Sequence, residues 1–133
     1  MDHARLKTIP LFSGLGGREL EALSRYADEV DVPQGKHLVE EGDFGHEFFA
    51  IEEGTAEVRH GDDVIGTLGA GDFFGEQALS GDARRNATVI ASAPVTAVVM
   101  TRSAFRQMRR EHATVCERIE AAVRDCGREL AQA

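Results

Sequence analysis

Tryptophan is missing from this sequence, tyrosine occurs once, and cysteine only twice. No apolar run approaches the roughly 20 residues that a membrane-spanning helix needs, so no membrane association is expected. The opening Met1-Asp2-His3-Ala4-Arg5 is polar and has no apolar signal core. Cys116 and Cys126 stand ten apart in a segment that reads as one helix. At 1.5 Å rise per residue their Cα atoms lie about 15 Å apart. A disulfide needs less than about 7 Å, so the two cannot pair within the chain. They read as small buried apolar residues, and together with the polar start they point to the cytoplasm. Catalytic pattern is missing too. No nucleophile and base stand at motif spacing, and His3, His37, His46, His60 and His112 are scattered. The chain is therefore not read as an enzyme.

Positive charge is scarce. Fifteen Lys and Arg face 23 Asp and Glu, a net charge of -8. Residues 1–80 hold 6 basic and 17 acidic side chains, whereas residues 81–133 hold 9 and 6. An acidic body argues against broad contact with nucleic acid or an anionic membrane. One small anion at a local basic spot remains compatible with it.

What is present reads in three parts. Residues up to Ala27 are helical in pattern, with Leu20, Leu23 and Ala27 three and four apart after the breaks at Pro10, Gly14 and Gly16-Gly17. From Glu29 the period drops to two. Val30 and Val32 alternate with acids, Glu47 to Ile51 reads as a buried strand, and Ala56, Val58 and His60 alternate with polar neighbours. Gly61-Asp62-Asp63 marks a hairpin, and Ala87–Ala91 and Val95–Met100 read as two further strands around Pro94. Ten of the 14 glycines lie between Gly35 and Gly81. Short strands with a turn every 8–12 residues indicate a sandwich or barrel. After Ser103 helical spacing returns: Phe105 and Met108 sit three apart, and Val115, Ile119, Ala122, Val123, Cys126 and Leu130 follow as an apolar stripe. The order is helix, about eight short strands, then two helices, in a chain of one-domain length.

One stretch carries chemistry. Phe73 to Val89 reads FFGEQALSGDARRNATV, with two adjacent arginines ahead of an apolar strand. Gly75 has no side chain, so a ligand can approach its backbone closely. Glu76-Gln77-Ala78-Leu79 suffices for about one helical turn, whose first amides face outward, and Ser80-Gly81-Asp82-Ala83 ends it. Arginine fits a phosphate with a two-pronged fork. Glu76 is a poor phosphate ligand but a good acceptor for a sugar hydroxyl. A phosphate joined to a ribose would use both. The same residues could also be a solvated surface pair of little consequence.

The pattern resembles the cyclic nucleotide-binding domain family. Its phosphate-binding cassette has the form F-G-E-x-A-L, a short loop, then R-x-A-T or R-x-A-S. Here Phe74-Gly75-Glu76-Gln77-Ala78-Leu79 and Arg85-Asn86-Ala87-Thr88 match it. Pro10-Leu11-Phe12, the run from Gly35 to Gly42, Gly54 and Gly69 to Phe74 extend the likeness from about Leu6 to Arg110.

The resemblance implies a mainly β fold with flanking α, an eight-stranded double-stranded β-helix (a β-roll or jelly roll). The roll would span about 29–101, with N-terminal helices in 4–27 and two C-terminal helices in 102–131, all in one domain, 1–133. It implies a ligand site of Gly75, Glu76, Gln77, Ala78, Arg85, Asn86, Ala87 and Thr88. Arg85 would take the phosphate oxygens and Glu76 the ribose 2′-hydroxyl. The Gly75 and Ala78 amides would lie near the ribose and phosphate, Ala87 would leave space, and Thr88 would touch phosphate or base edge. Arg84 stands where many members have proline and should face solvent. Members favouring cyclic GMP often have threonine where Asn86 stands, which favours cyclic AMP and leaves cyclic GMP as the alternative.

The expected partners are the cyclic nucleotide and an unidentified effector protein or domain. Activator-type members go on into a DNA-reading helix-turn-helix. This chain ends at Ala133, so it is expected not to bind DNA alone, whether it is complete or lacks an effector. Two other readings stand beside the sensor. One is a degenerate β-roll that binds no nucleotide and serves as a protein-interaction scaffold. The other is a metalloenzyme of the cupin type, which the missing H-x-H pattern disfavours. No metal or other cofactor is expected. The helical stripe from Val115 to Leu130 would cover the ligand, join a second chain in a homodimer, or pack on its own roll.

Overall fold

The computed structural model describes residues 3–79 and 83–126. Glu47–Glu53 (β4) shows how the fold is built. Its run EFFAIEE has no polar alternation, and Phe48, Phe49, Ala50 and Ile51 are all buried. Successive strand side chains point to opposite faces, so both faces of β4 must be covered. Phe48 and Ala50 enter one apolar cluster, Phe49 and Ile51 another. Val95–Thr101 (β10) splits the same way, with Val98 and Met100 on one side and Val95, Ala97 and Val99 on the other. So does the two-residue Phe73–Phe74 (β7). With Asp28–Val32 (β1) these strands form an antiparallel sheet in the order β1-β10-β4-β7. That sheet is a wall between two cores.

The second sheet lies across the inner core. It consists of His37–Val39 (β2), Thr88–Ala91 (β9), Ala56–His60 (β5) and Asp63–Leu68 (β6), in the order β2-β9-β5-β6. Here only one face is covered, and the sequence alternates accordingly. Ala56, Val58, Val89 and Ala91 point in, while Glu57, Arg59 and Thr88 point out or to the rim. Phe44–Gly45 (β3) pairs with Ala83–Arg84 (β8) as a small third ladder, in register Phe44↔Arg84. The expected roll of short antiparallel strands is present. It reaches ten segments among the described residues because β3, β7 and β8 are two-residue pieces. Gly54 turns β4 toward β5 at φ +95°, and a Cβ there would stand 2.2 Å from the Pro94 carbonyl oxygen. Only glycine fits that crossing.

The outer core is roofed by helices from both ends of the chain. His3–Leu6 (α1), a 3-10 turn at Pro10–Phe12 and Gly17–Ser24 (α2) come first. Arg102–Glu111 (α3) and Ala113–Cys126 (α4) follow the roll. The Thr101 hydroxyl caps α3 by accepting from the Ala104 amide at 3.1 Å. Phe105 and Met108, fully buried, meet Leu6, Phe12, Leu20 and Leu23 in one cluster. Burying a side chain such as Phe105 stabilises by about 1.5–3 kcal/mol. Polar ties join the two sets of helices: Arg118 to Glu19 at 2.9 Å, and the Tyr26 hydroxyl donating to the Glu111 carboxylate. The described part of the stripe on α4 packs within the chain. Val115, Cys116 and Ile119 are buried in the outer core, with Ala122 and Val123 against it. The described part of the stripe therefore meets the N-terminal helices and the back of the sheet wall. Cys116 is a free, buried thiol as expected; the Cys126 side chain and Leu130 lie outside the described residues. Among the described residues no helix is long and apolar enough to cross a membrane.

At the rim of the outer core sits an acid that burial disfavours as a charge. The Glu52 side chain is only 4% exposed and meets Arg5 of α1 at 3.0 Å, while Arg5 also reaches Glu29 of β1 at 3.2 Å. Burial and a hydrogen bond with the Glu29 carboxyl raise the Glu52 pKa from 4.5 to about 7. The unfolded chain thus releases this proton well before the folded one does. The favourable contribution is complete below pH 4.5, declines as pH rises, and is lost above about pH 7. Glu52→Gln should therefore match the parent in thermal unfolding near pH 4 and melt at a higher temperature near pH 8. A variant that melts lower at both values would show the ion pair with Arg5 to be the dominant interaction instead.

Candidate functional site

Two consecutive residues of the sequence take opposite fates. Arg84 belongs to β8 and is exposed; its guanidinium donates to the Gly42 carbonyl at 2.6 Å and lies 4.4 Å over the Phe44 ring. Arg85, on the next pleat, turns inward and is 6% exposed. Its main chain is clamped on both sides. The Arg85 amide donates to Asp43 O at 2.7 Å, and the Gly42 amide donates to Arg85 O at 2.9 Å. The guanidinium Nη2 donates to Glu47 O at 2.5 Å. Burial pulls the Arg85 pKa down, while Glu47 and Glu76 act to hold it up. Arginine nonetheless remains a cation at any ordinary pH.

Facing this cation is the 3-10 turn Glu76–Leu79, reached through β7 and Gly75. The Phe49 and Phe74 rings stack with centroids 4.8 Å apart, which anchors the chain just ahead of Gly75. Gly75 has φ +81° and no room for a side chain. A Cβ would stand 2.5 Å from Arg85 Nη1 and 2.7 Å from Glu47 O. Glu76 is half-buried, and its Oε2 is a buried acceptor without a hydrogen-bond partner. Burial raises the Glu76 pKa, opposed by a hydrogen bond from its own amide and by the charge of Arg85. Leaving such an acceptor unsatisfied costs about 1–3 kcal/mol. The pair together offers a cationic fork for an anion and an acceptor oxygen awaiting a donor.

The remaining sequence-predicted residues divide by pleat. Ala87 is buried on the same side as Arg85. Gln77 is half-buried within the turn; Ala78 lies in the turn too, but its side chain is outside the described residues, as are Ser80, Gly81 and Asp82. Asn86 is exposed, and its carbonyl oxygen lies 3.2 Å from His60 Nδ1. The Thr88 hydroxyl accepts from the Glu41 amide at 3.0 Å. Gly75, Glu76, Arg85 and Ala87 thus gather on the inner side, while the Asn86 and Thr88 side chains lie on the alternate pleat. Sequence reasoning missed the Glu47 carbonyl and the Gly42-Asp43 amide and carbonyl that seat Arg85. Main-chain groups leave no mark on residue type, so no sequence signal could have found them.

The sequence model for the cyclic nucleotide-binding domain matches residues 29–112. The chain belongs to the cyclic nucleotide-binding domain family. Among curated relatives, a cAMP-dependent protein kinase regulatory subunit of Mycosarcoma maydis is 37% identical over 122 residues, covering 85% of this chain and 23% of that protein. A cGMP-dependent protein kinase of Eimeria tenella is 35% identical over 103 residues, covering 77% and 10%. The chain therefore spans less than a quarter of the length of these relatives. A putative cyclic nucleotide-binding protein from Geobacter metallireducens superposes with a TM-score of 0.82 at 18% identity, over 94% of both chains, which shows the fold. The Thermus thermophilus catabolite activator protein gives 0.73 at 27% identity, over 87% of this chain and 57% of that one.

The close approach at Gly75 makes a prediction. Gly75→Ala must relieve both a left-handed backbone and a collision with Arg85. We expect it to lower unfolding free energy by about 1–3 kcal/mol from backbone strain alone. Urea unfolding at neutral pH measures this, and an unchanged midpoint would mean that Arg85 does not occupy the seat beside Gly75.

Proposed function

We propose that this domain binds a cyclic nucleotide through Arg85 and Glu76 and works as a sensor module. The observation that carries the reading is the inward guanidinium beside a buried carboxylate oxygen with no partner. Two costly groups are placed together in a family whose members have ligand sites built around a phosphate and a sugar. The cyclic phosphate would take the fork of Arg85, and the ribose 2′-hydroxyl would donate to Glu76. The Ala78 amide adds a donor toward the phosphate, Gly75 permits close approach, and Ala87 keeps the inner wall low. Gln77 lines the turn. Asn86, in place of a threonine, favours cyclic AMP, with cyclic GMP the weaker ligand; standing on the alternate pleat, Asn86 and Thr88 would meet the ligand at its edge rather than beside the Arg85 fork. These are binding roles, and no bond-making step is assigned to them.

The signal would leave through the helices. The Glu76–Leu79 turn lies against both β4 and α3. Closing that turn on a ligand would bias α3, which is tied through Glu111 and Tyr26 to the N-terminal layer. A ligand shifts such an equilibrium only by its differential affinity for the two states. Because both cores share the sheet wall, we read residues 1–133 as one domain, placed in the cytoplasm, with an effector protein or further domain as its output.

Calorimetry with cyclic AMP and cyclic GMP tests the proposal. Cyclic AMP should bind more tightly, and Arg85→Ala should weaken it by roughly 2–5 kcal/mol. Glu76→Gln should weaken cyclic AMP but scarcely change 2′-deoxy cyclic AMP, since only the former supplies the hydroxyl. A ligand at a hundred times its Kd should stabilise the fold by about 2.7 kcal/mol. The absence of any thermal shift with either nucleotide would leave the nucleotide-free scaffold as the correct reading.

A further inference from the structure

A groove of about 530 Å³ lies outside the cassette, where the start of β4 meets α3. It is lined by His46, Arg102, Arg106, Gln107, Arg110 and Glu111 among others. Arg102, Arg106 and Arg110 are four residues apart, so they share one helix face. That face is exceptional in a chain of net charge -8. Arg109, one residue off the stripe, has an internal role: it meets Glu120 at 2.8 Å and lies 5.1 Å over the Phe105 ring. Arg106 and Arg110 are exposed, and among the described residues no ion pair is formed by either.

We propose that this groove is a docking site for a short acidic peptide segment of a partner protein. Charge and dimensions carry the choice. From Arg102 to Arg110 the helix rises about 12 Å. Three or four extended residues span that distance. The Arg106 and Arg110 guanidiniums each offer a two-pronged fork that suits a carboxylate. The Glu111 carboxylate, engaged by the Tyr26 hydroxyl, also lines the groove next to Arg110, which disfavours a long run of acids. Long polyanions are disfavoured because the acid-rich body would repel a duplex or an anionic bilayer laid across it. The site also has a structural neighbour of interest. The Arg102 amide donates to His46 O at 2.8 Å, and the next residue, Glu47, gives its carbonyl to Arg85. Docking as such does not rest on the nucleotide reading, so it is tested without nucleotide.

The experiment is fluorescence anisotropy of a labelled, capped hexaglutamate peptide titrated with the full chain at low salt, with hexaglutamine as comparison. Saturable binding of hexaglutamate alone is expected, weakening as potassium chloride rises. Arg106→Glu with Arg110→Glu should weaken it roughly tenfold or more. Arg18→Glu, an exposed change on α2, should leave it unaltered. Both groove residues are exposed, so circular dichroism and the melting temperature should stay at parental values. No saturable binding, an affinity indifferent to the double reversal, an equal loss from Arg18→Glu, or a preference for duplex DNA over the peptide overturns the proposal.

Discussion

A guanidinium held away from water and bonded to a main-chain carbonyl is the constraint around which this molecule is arranged. Seating Arg85 inside the roll removes most of its hydration, and a charge is buried at tolerable cost only when it is paired and hydrogen-bonded. The Glu47 carbonyl and the nearby Glu76 charge offset part of that cost. The seat itself is backbone. β8 pairs with β3, the Gly42-Asp43 corner grips Arg85 from both sides, and Gly75 yields the space that any side chain would fill. A carboxylate oxygen left without a partner beside this cation is costly, and it has no structural purpose that we can name.

The sheet wall connects the surroundings of Arg85 and Glu76 to the helices. β4, β7 and β10 each send alternate side chains into the inner and the outer core. Phe73 and Phe74 are adjacent in sequence yet lie in different cores, and the chain from Phe74 leads directly into Gly75 and the cassette turn. Close-packed interiors transmit strain because they have few voids to absorb it. The chain into the turn is anchored by the ring stack with Phe49, and the turn itself lies against α3.

Much of the fold is legible in the residues because local pattern and burial agree. The alternation in β5 and β9, the unbroken apolar run of β4, and the helical spacing of Phe105 and Met108 each report the number of faces that tertiary structure covers. The helical stripe from Val115 onward was legible as apolar, but its target was not. Period reveals that a face is buried, and never against what. The cassette was legible by motif, down to Arg85 inward and Arg84 outward. The seat of Arg85 was not, since peptide carbonyls and amides are common to every residue.

The amino-acid order by itself determined which segments alternate and where glycine must turn the chain. Those are consequences of short-range geometry, readable two to four residues at a time. Tertiary structure alone decided that Glu47 would lend Arg85 its carbonyl across 38 positions, that Arg5, Glu29 and Glu52 would meet, and that Arg106 and Arg110 would flank a groove. Each of those depends on strand order and on helices from both chain ends sharing one roof. Long-range pairing of that kind is set by packing the whole molecule at once.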